Sequence, residues 1–252
     1  MRILLLILAL SADALGQIVI EAVPEPQGAP VSKASASGGA ILLIGDSHTA
    51  GRFGDGLDRL LRTLDGWEVH TFAVSGSSAW FWAGDGAATR TPSPHTWLHR
   101  DPAHPKAAPT QKPDGENTPG PWRLRRVVPA GLRLAVVALG TNHHFLSPKA
   151  AAAKTAPLMK ELSEAGVSCL WVGPPPLLAD GPRYKIKAGW VDEFYEHLAK
   201  TAAENSCALV DSRKLLGAYP ETGGDEVHYD RFPKKTRAWS EGVFERARAS
   251  LP

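Results

Sequence analysis

Short apolar runs alternate along the chain with segments in which apolar residues recur every three or four positions. Continuous apolar runs are typical of strands buried on both faces of a parallel sheet, and the longer spacing is typical of amphipathic helices. The predicted strands lie at residues 40–44, 67–74, 132–139, 167–172 and 207–210. The alternation predicts an α/β domain with a five-stranded parallel sheet covered by helices on both faces.

Segments with helical periodicity lie between the predicted strands and after the last one. The predicted helices cover residues 53–64, 147–166, 190–202 and 239–247. Ser147 and Pro148 are typical cap and first-turn residues for the second helix. Pro157 lies inside the same pattern and removes a backbone donor, so we expect a break or kink there.

The N-terminal segment differs from the rest of the chain. Arg2 precedes an apolar run at residues 3–10, and small residues follow at 11–14. This order is typical of a secretory signal peptide, and a membrane span would need roughly 20 apolar residues. We expect a signal peptide at 1–16, a flexible linker at 17–39 and a folded domain at 40–252. The protein would then be exported to the periplasm or the medium without stable membrane insertion after cleavage. An uncleaved anchor and a buried N-terminal strand are the alternatives.

Residues 82–122 fit neither periodicity. The stretch 81–122 holds eight prolines, and aromatic residues flank it at 80–82 and at Trp122. Long irregular segments inside a domain are usually functional or disordered, and the aromatic residues argue against complete disorder. We therefore predict an ordered insertion with few regular elements.

Composition narrows the function classes only slightly. Of 252 residues, 43% are hydrophobic, which is enough for a sizeable core. The 28 Lys and Arg residues nearly balance the 26 Asp and Glu residues, leaving a net charge of +2. Such a balance, without charge blocks, disfavours a nucleic-acid partner. Two cysteines exclude a disulfide-rich scaffold and a multi-cysteine zinc site.

Polar, chemistry-bearing residues follow the predicted strands, where ligands bind in doubly wound sheets. The segments concerned are Gly45-Asp46-Ser47-His48, Ser75-Gly76-Ser77-Ser78, Gly140-Thr141-Asn142-His143-His144 and, before the last helix, Asp225-Glu226-Val227-His228. A serine in a strand-to-helix turn can act as a nucleophile if a base and an orienting carboxylate accompany it. Ser47, His228 and Asp225 supply these three groups.

An oxyanion hole requires several donors directed at one point. The backbone N–H groups of Ser47 and Gly76 and the side-chain amide of Asn142 are the candidate donors. Glycine at position 76 would allow close approach of the backbone to a substrate.

The set of motifs resembles the SGNH, or GDSL-like, hydrolase superfamily. In that family Ser, Gly and Asn follow strands 1, 2 and 3 respectively, and His lies near the C-terminus. The matching residues here, in the same order, are Ser47, Gly76, Asn142 and His228. The resemblance spans residues 40–250 without the insertion. It implies a three-layer, flavodoxin-like α/β/α sandwich and a serine esterase with Ser47 as nucleophile, His228 as base and Asp225 as its orienter.

The resemblance further implies a reaction without cofactor or metal. The implied substrates are small-molecule or carbohydrate esters with short acyl groups, and O-acetyl groups on carbohydrate are the first choice. The family commonly has Asp after the motif asparagine and Pro or Leu after the histidine, whereas His143 and Tyr229 stand here. These differences leave the subfamily and the substrate open, and the oligomeric state is not determined by the sequence.

Other residues near the motifs allow two interpretations. His48 and His143, with His144 and Asp46, could form a metal site, but spacing favours cleft-lining, substrate-binding histidines. Trp80 and Trp82 could stack on a sugar ring or pack beneath the insertion.

The remaining polar and sulfur-bearing residues are also ambiguous. A basic group at Arg183, Lys185 and Lys187 is interpreted as solvated surface. The sheet order implied by the family makes Cys169 and Cys207 neighbours, so they could form a disulfide or remain two small core residues.

Two other functions are compatible with the same fold and the same site residues. An O-acyltransferase would pass the acyl group to a sugar hydroxyl instead of water, through the same acyl-enzyme. A non-catalytic carbohydrate- or envelope-binding module would keep the fold without turnover, although the complete set of site residues disfavours it.

Overall fold

The computed structural model describes residues 38–83, 97–102, 105, 124–220 and 224–251. The predicted signal peptide at 1–16, all but the last two residues of the predicted linker at 17–39, and most of the insertion at 82–122 lie outside the described residues. Gly39 already belongs to the folded domain, because its carbonyl accepts the Glu68 backbone N–H at 3.0 Å.

A six-stranded sheet forms the centre of the domain. Its strands are β1 Ala40–Gly45, β2 Glu68–Val74, β3 Trp97–Arg100, β4 Leu132–Ala138, β5 Ser168–Val172 and β6 Cys207–Val210. Their order across the sheet is β3-β2-β1-β4-β5-β6. The five predicted strands are present and parallel to one another. The predicted count of five was wrong by one, because β3 from the insertion pairs antiparallel with the edge of β2.

Helices connect the strands and cover the sheet. They are α1 Ser47–Ala50, α2 Arg52–Leu61, α3 Ala79–Trp82, α4 Leu124–Val127, α5 Pro148–Ala153, α6 Ala156–Glu164, α7 Trp190–Glu204, α8 Ser212–Leu216 and α9 Pro233–Ala249. None of these helices, within the part of the chain that the structure describes, is long and apolar enough to cross a membrane.

The predicted break at Pro157 is confirmed. The segment forms two helices, α5 and α6, and Pro157 is the second residue of α6. A proline is tolerated there because the N–H groups of the first turn have no partner within the helix. Ser147 caps α5 as predicted, accepting the Ala150 N–H at 3.3 Å.

The apolar side chains of β1 divide between two cores, one on each face of the sheet. Leu42 and Ile44 pack in the core covered by α5, α6 and α7. Ile41 and Leu43 pack in the core covered by α2 and α9. This alternation follows from the two-residue period of a strand. It confirms the predicted three-layer α/β/α sandwich.

A disulfide joins Cys169 to Cys207. The two residues are direct register partners in β5 and β6, and their Cα atoms are 4.6 Å apart. Of the two interpretations of the sequence, the structure therefore supports the disulfide.

Candidate active site

Three of the four polar motifs meet at the carboxyl edge of the sheet because β1 lies between β2 and β4. The segments after these strands carry Ser47, Gly76 and Asn142. The fourth motif, Asp225 to His228, lies in the loop before α9. The topology thus brings together side chains that are far apart in sequence.

Ser47 lies at the first residue of α1, directly after β1. The turn is tight, since a Cβ on Gly45 would overlap the Thr49 hydroxyl. Asp46 caps the helix by accepting the His48 N–H at 3.0 Å. The backbone N–H of Ser47 has no hydrogen-bond acceptor among the described residues, so it is available to a bound ligand.

His228 joins Ser47 to Asp225. Its Nε2 lies 2.8 Å from Ser47 Oγ and its Nδ1 lies 2.7 Å from Asp225 Oδ2. Asp225 Oδ1 accepts the backbone N–H groups of His228 at 2.7 Å and Val227 at 3.2 Å. In the tautomer with a proton on Nδ1, the ring donates to the carboxylate and accepts the serine O–H.

Asp225 is held in its charged form. Partial burial raises the pKa of its carboxyl group, but the hydrogen bonds from the backbone and ring of His228 outweigh burial and lower the pKa to about 2. A permanent carboxylate therefore faces Nδ1 and favours the Nδ1–H tautomer.

Tyr229, which replaces the more common Pro or Leu, anchors the turn that carries His228. Its ring is buried against Trp239, with centroids 6.1 Å apart, and its hydroxyl donates to the Pro176 carbonyl at 2.9 Å. These contacts fix the backbone next to His228, whose ring lies 2.8 Å from Ser47 Oγ.

The three candidate oxyanion donors differ in availability. Gly76 adopts a φ of 77°, which glycine tolerates without strain, and its N–H has no acceptor among the described residues. Asn142 Nδ2 donates to the Ser77 carbonyl at 2.9 Å and to Asp46 Oδ2 at 3.2 Å. An oxyanion would therefore have to replace one of the Asn142 bonds, and the longer one, to Asp46, is the weaker.

Asp46 is fully enclosed below this group of donors. Burial raises the pKa of its carboxyl group to about 7, although the His48 N–H and the nearby His228 act in the opposite direction. The carboxyl group therefore takes up a proton at a higher pH than an exposed aspartate does.

The two histidines expected to contact substrate lie in the interior instead. His48 packs between His228 and Trp239, with ring centroids 5.2 and 5.4 Å away, and burial lowers its pKa to about 3. His143 is fully buried, its Nε2 accepts the Ala79 N–H at 3.2 Å, and burial lowers its pKa to about 4. Both are neutral packing residues, which corrects the cleft-lining interpretation.

The two tryptophans also have different positions. Trp82 is fully buried and its Nε1–H donates to Ser77 Oγ at 3.1 Å, so the stacking interpretation is corrected for this ring. Trp80 is half-buried and packs on His143 and Phe145, at centroid distances of 5.7 and 6.1 Å. Lys154 Nζ lies 5.5 Å from the centroid of the Trp80 ring, and Trp80 does not line the cleft beside Ser47. Its role in substrate contact stays a prediction.

A cleft of about 470 Å³ lies beside Ser47 and His228. Its other lining residues are Ala50, Gly51, Ser75, Arg183, Asp225, Asp230 and Arg231. The side chain of Arg183 is 64% exposed, in agreement with the solvated surface expected from the sequence. The sequence did not indicate that Arg183 also borders the cleft, because only the tertiary fold brings this residue next to Asp225. Among the described residues, no three His, Cys, Asp or Glu side chains are arranged to hold a metal ion.

Comparisons with known proteins identify the fold. No family model and no curated protein matches the sequence. An aryl esterase from M. smegmatis shares 18% identity with a TM-score of 0.55, and the match covers 84% of this chain and all of that one. A carbohydrate acetylesterase from Sinorhizobium meliloti shares 14% identity with a TM-score of 0.53, over 83% of this chain and 98% of that one.

A third match names the superfamily. A candidate SGNH hydrolase from Slackia heliotrinireducens shares 20% identity with a TM-score of 0.54, over 83% of this chain and 98% of that one. The chain therefore has the SGNH-hydrolase fold that its motifs resemble. At these identities the likeness concerns architecture, and chemistry has to be argued from the site itself.

Proposed function

We propose that this protein is a serine esterase that hydrolyses short acyl esters through Ser47, His228 and Asp225. The observation that carries the proposal is the continuous hydrogen-bonded chain from Ser47 Oγ to His228 at 2.8 Å and from His228 to Asp225 at 2.7 Å. A nucleophile, a base and an orienting carboxylate in this order form the constellation that activates a serine hydroxyl.

In the proposed cycle, Ser47 Oγ attacks the ester carbonyl carbon while His228 Nε2 takes the hydroxyl proton. The imidazolium is stabilised by Asp225 and then gives its proton to the leaving alcohol oxygen as the C–O bond breaks. Water, deprotonated by His228, attacks the acyl-enzyme, and the proton returns to Ser47 as the acid leaves. The cycle uses these side chains, the ester and water.

The negative charge of each tetrahedral intermediate would rest on the N–H groups of Ser47 and Gly76. These donors have no competing acceptor among the described residues, so they need not break a bond to bind the oxyanion. Asn142 would add a third donor after exchanging its 3.2 Å bond to Asp46.

We propose O-acetyl groups on carbohydrate as the substrate class. Trp80 is a partly accessible aromatic residue that follows the segment carrying Gly76, and flat rings suit sugar surfaces. The structural similarity to a carbohydrate acetylesterase also supports this choice.

We also propose that the protein is exported. The N-terminal pattern of Arg2, an apolar run and small residues supports a cleaved signal peptide. The disulfide between Cys169 and Cys207 is the second support, because such bonds persist in oxidising compartments. Cell fractionation with N-terminal sequencing tests this proposal, and an intact Met1 terminus in the cytoplasm would contradict it.

The test of the reaction is Ser47→Ala assayed with 4-nitrophenyl acetate. We expect kcat to fall by about 10³-fold or more because the acyl-enzyme cannot form. Ser163→Ala, the same change on the exposed face of α6, is the matched control and should retain full activity. Hydrolysis that survives in Ser47→Ala would rule out this nucleophile.

A serine-reactive fluorophosphonate separates the esterase from a non-catalytic binding module. The wild type should be labelled and Ser47→Ala should not. Product analysis with an acetyl donor and an oligosaccharide acceptor then shows whether water or a sugar hydroxyl receives the acyl group.

A further inference from the structure

The loop formed by residues 181–185 borders the cleft beside Ser47. It carries Arg183, which lines the cleft together with Ser47 and His228. The proposed hydrolysis assigns no role to this loop or to its arginine.

Glu226 fastens this loop to the turn that carries His228. Its buried carboxylate accepts the Arg183 N–H at 3.0 Å from each oxygen and the Tyr184 N–H at 2.9 Å. A Cβ on Gly181 would approach the Glu226 Cδ atom to 2.5 Å, so a side chain at position 181 would displace the carboxylate from its present place. The backbone of Arg183 is therefore fixed relative to His228.

The backbone of Glu226 is unusual for its residue type. Its φ is 77°, in the left-handed region that non-glycine residues rarely adopt. Such conformations persist where surrounding contacts over-determine them, and they cluster at functional sites. Here the bonds to the 181–185 loop supply these contacts.

The Arg183 side chain reaches the catalytic group from this fixed backbone. Its Nη1 lies 4.0 Å from Asp225 Oδ2, while 64% of the side chain remains exposed. Asp225 is already bonded to His228, and the Arg183 guanidinium has no hydrogen-bond acceptor within the part of the chain that the structure describes. The guanidinium lies over the Tyr184 ring, with its Cζ 5.2 Å from the ring centroid, and its N–H donors remain available to an anion.

The cleft lining also carries a second carboxylate. Asp230, besides Asp225, accepts the Arg52 backbone N–H at 2.8 Å, and no ion pair joins it to Arg183 in the part of the chain that the structure describes. Hydrogen bonds leave the charge of both carboxylates in place, so the cleft offers a ligand the unused donors of Arg183 rather than a net positive charge.

The position of Arg183 indicates which part of the ester it meets. His228 must protonate the leaving alcohol, so the alcohol lies on the His228 side of the scissile bond, away from the oxyanion donors. Arg183 lies beside Asp225, the partner of His228, and hence on that same side. We infer that Arg183 binds a carboxylate on the alcohol portion of the substrate, which makes acetylated sugar acids or other acidic alcohols the preferred class. This inference rests on the proposed esterase function.

The test compares 3-acetoxybenzoate with 3-acetoxybenzamide, which differ chiefly in the charge on the leaving alcohol. We expect Arg183→Gln to lower kcat/KM for the anionic ester by about 5-fold, mainly through KM, and to leave the neutral ester within about 2-fold. The wild-type preference for the anionic ester should also weaken with added salt. Lys185→Gln, an exposed cation of the same loop outside the cleft, should behave like the wild type.

A third ester, 4-nitrophenyl hemisuccinate, carries its carboxylate on the acyl side and should be unaffected by Arg183→Gln. Equal losses for the anionic and neutral acetates would mean that Arg183 acts through Asp225, and unchanged rates for both would remove any role in recognition. Either result overturns the inference while the esterase proposal stands. Failure of the wild type to hydrolyse any of the esters would instead refute the proposed function.

Discussion

His228 has a different partner at each ring nitrogen, and this asymmetry favours one tautomer of the neutral ring. The Asp225 carboxylate, whose pKa is lowered to about 2, accepts a hydrogen bond from Nδ1–H. Nε2 then carries no proton and accepts the hydrogen bond from the Ser47 hydroxyl. An amide at position 225 would reverse the order, since its NH₂ group can donate to Nδ1 and force the proton onto Nε2.

Asp225→Asn should therefore lower kcat for acetyl ester hydrolysis by about 10³- to 10⁴-fold with little change in KM. The fold should survive, because the asparagine oxygen can still accept the backbone N–H groups of Val227 and His228. Steady-state kinetics measures the effect, and Asp192→Asn on the exposed face of α7 is the control. A loss of kcat below about 10-fold would show that His228 does not depend on Asp225.

At the residue scale, the sequence reveals side chains whose partners are set by short spacing or strand ends. Asp225 and His228 share one turn, and Ser47 follows a strand, so the meeting of these side chains could be predicted. The bonds of Asn142 to Asp46 and Ser77, and the position of Arg183, depend on contacts between distant segments. No local pattern encodes such contacts, so these two features required the structure.

At the scale of elements, the short 3₁₀ helix Thr141–His143 is joined to α3 by a buried histidine. His143 Nε2 accepts the Ala79 N–H at the start of α3, and burial lowers the pKa of His143 from 6.5 to about 4. The unfolded chain takes up a proton below pH 6.5 that the folded protein excludes down to about pH 4. The contribution of His143 to stability is therefore lost as the pH falls through this interval.

His143→Gln removes the titration while its side-chain oxygen can still accept the Ala79 N–H. We expect the variant to lose less stability than the wild type between pH 6.5 and 4, by up to roughly 3 kcal/mol. Urea unfolding at several pH values gives the difference between the two proteins, which isolates His143 from the titrations of His48 and Asp46. Parallel curves for the two proteins would contradict the assignment.

Helices and strands could be predicted where residues within the segment itself determine its conformation. Pro157 breaks its helix through its own ring, so the division into α5 and α6 could be foreseen. Strand β3 has four residues and forms through antiparallel pairing with β2. Its sequence, Trp-Leu-His-Arg, is not the continuous apolar run by which the equally short β6 was predicted, so the pairing with the edge of β2 makes it a strand.

At the scale of the whole molecule, the candidate active site and the disulfide lie at opposite ends of the strands. Ser47 and the loops around it follow the carboxyl ends of the strands, whereas Cys169 and Cys207 lie at the starts of β5 and β6. The alternation of strands and helices along the sequence predicts the three layers but not the order of the strands in the sheet. The order that brings these cysteines together was implied by the resemblance to a family.

The disulfide closes a loop with a sequence separation of 38 residues, and restricting an unfolded chain to this extent stabilises the folded state by about 4 kcal/mol. The double variant Cys169→Ala/Cys207→Ala should therefore unfold at lower urea concentration while keeping the wild-type kcat at low temperature, because neither residue lies near Ser47. Reduced wild type is the internal control and should match the double variant in stability. If reduction leaves the wild-type midpoint unchanged, the two sulfurs are not bonded in solution, and the support that the disulfide gives to export is withdrawn.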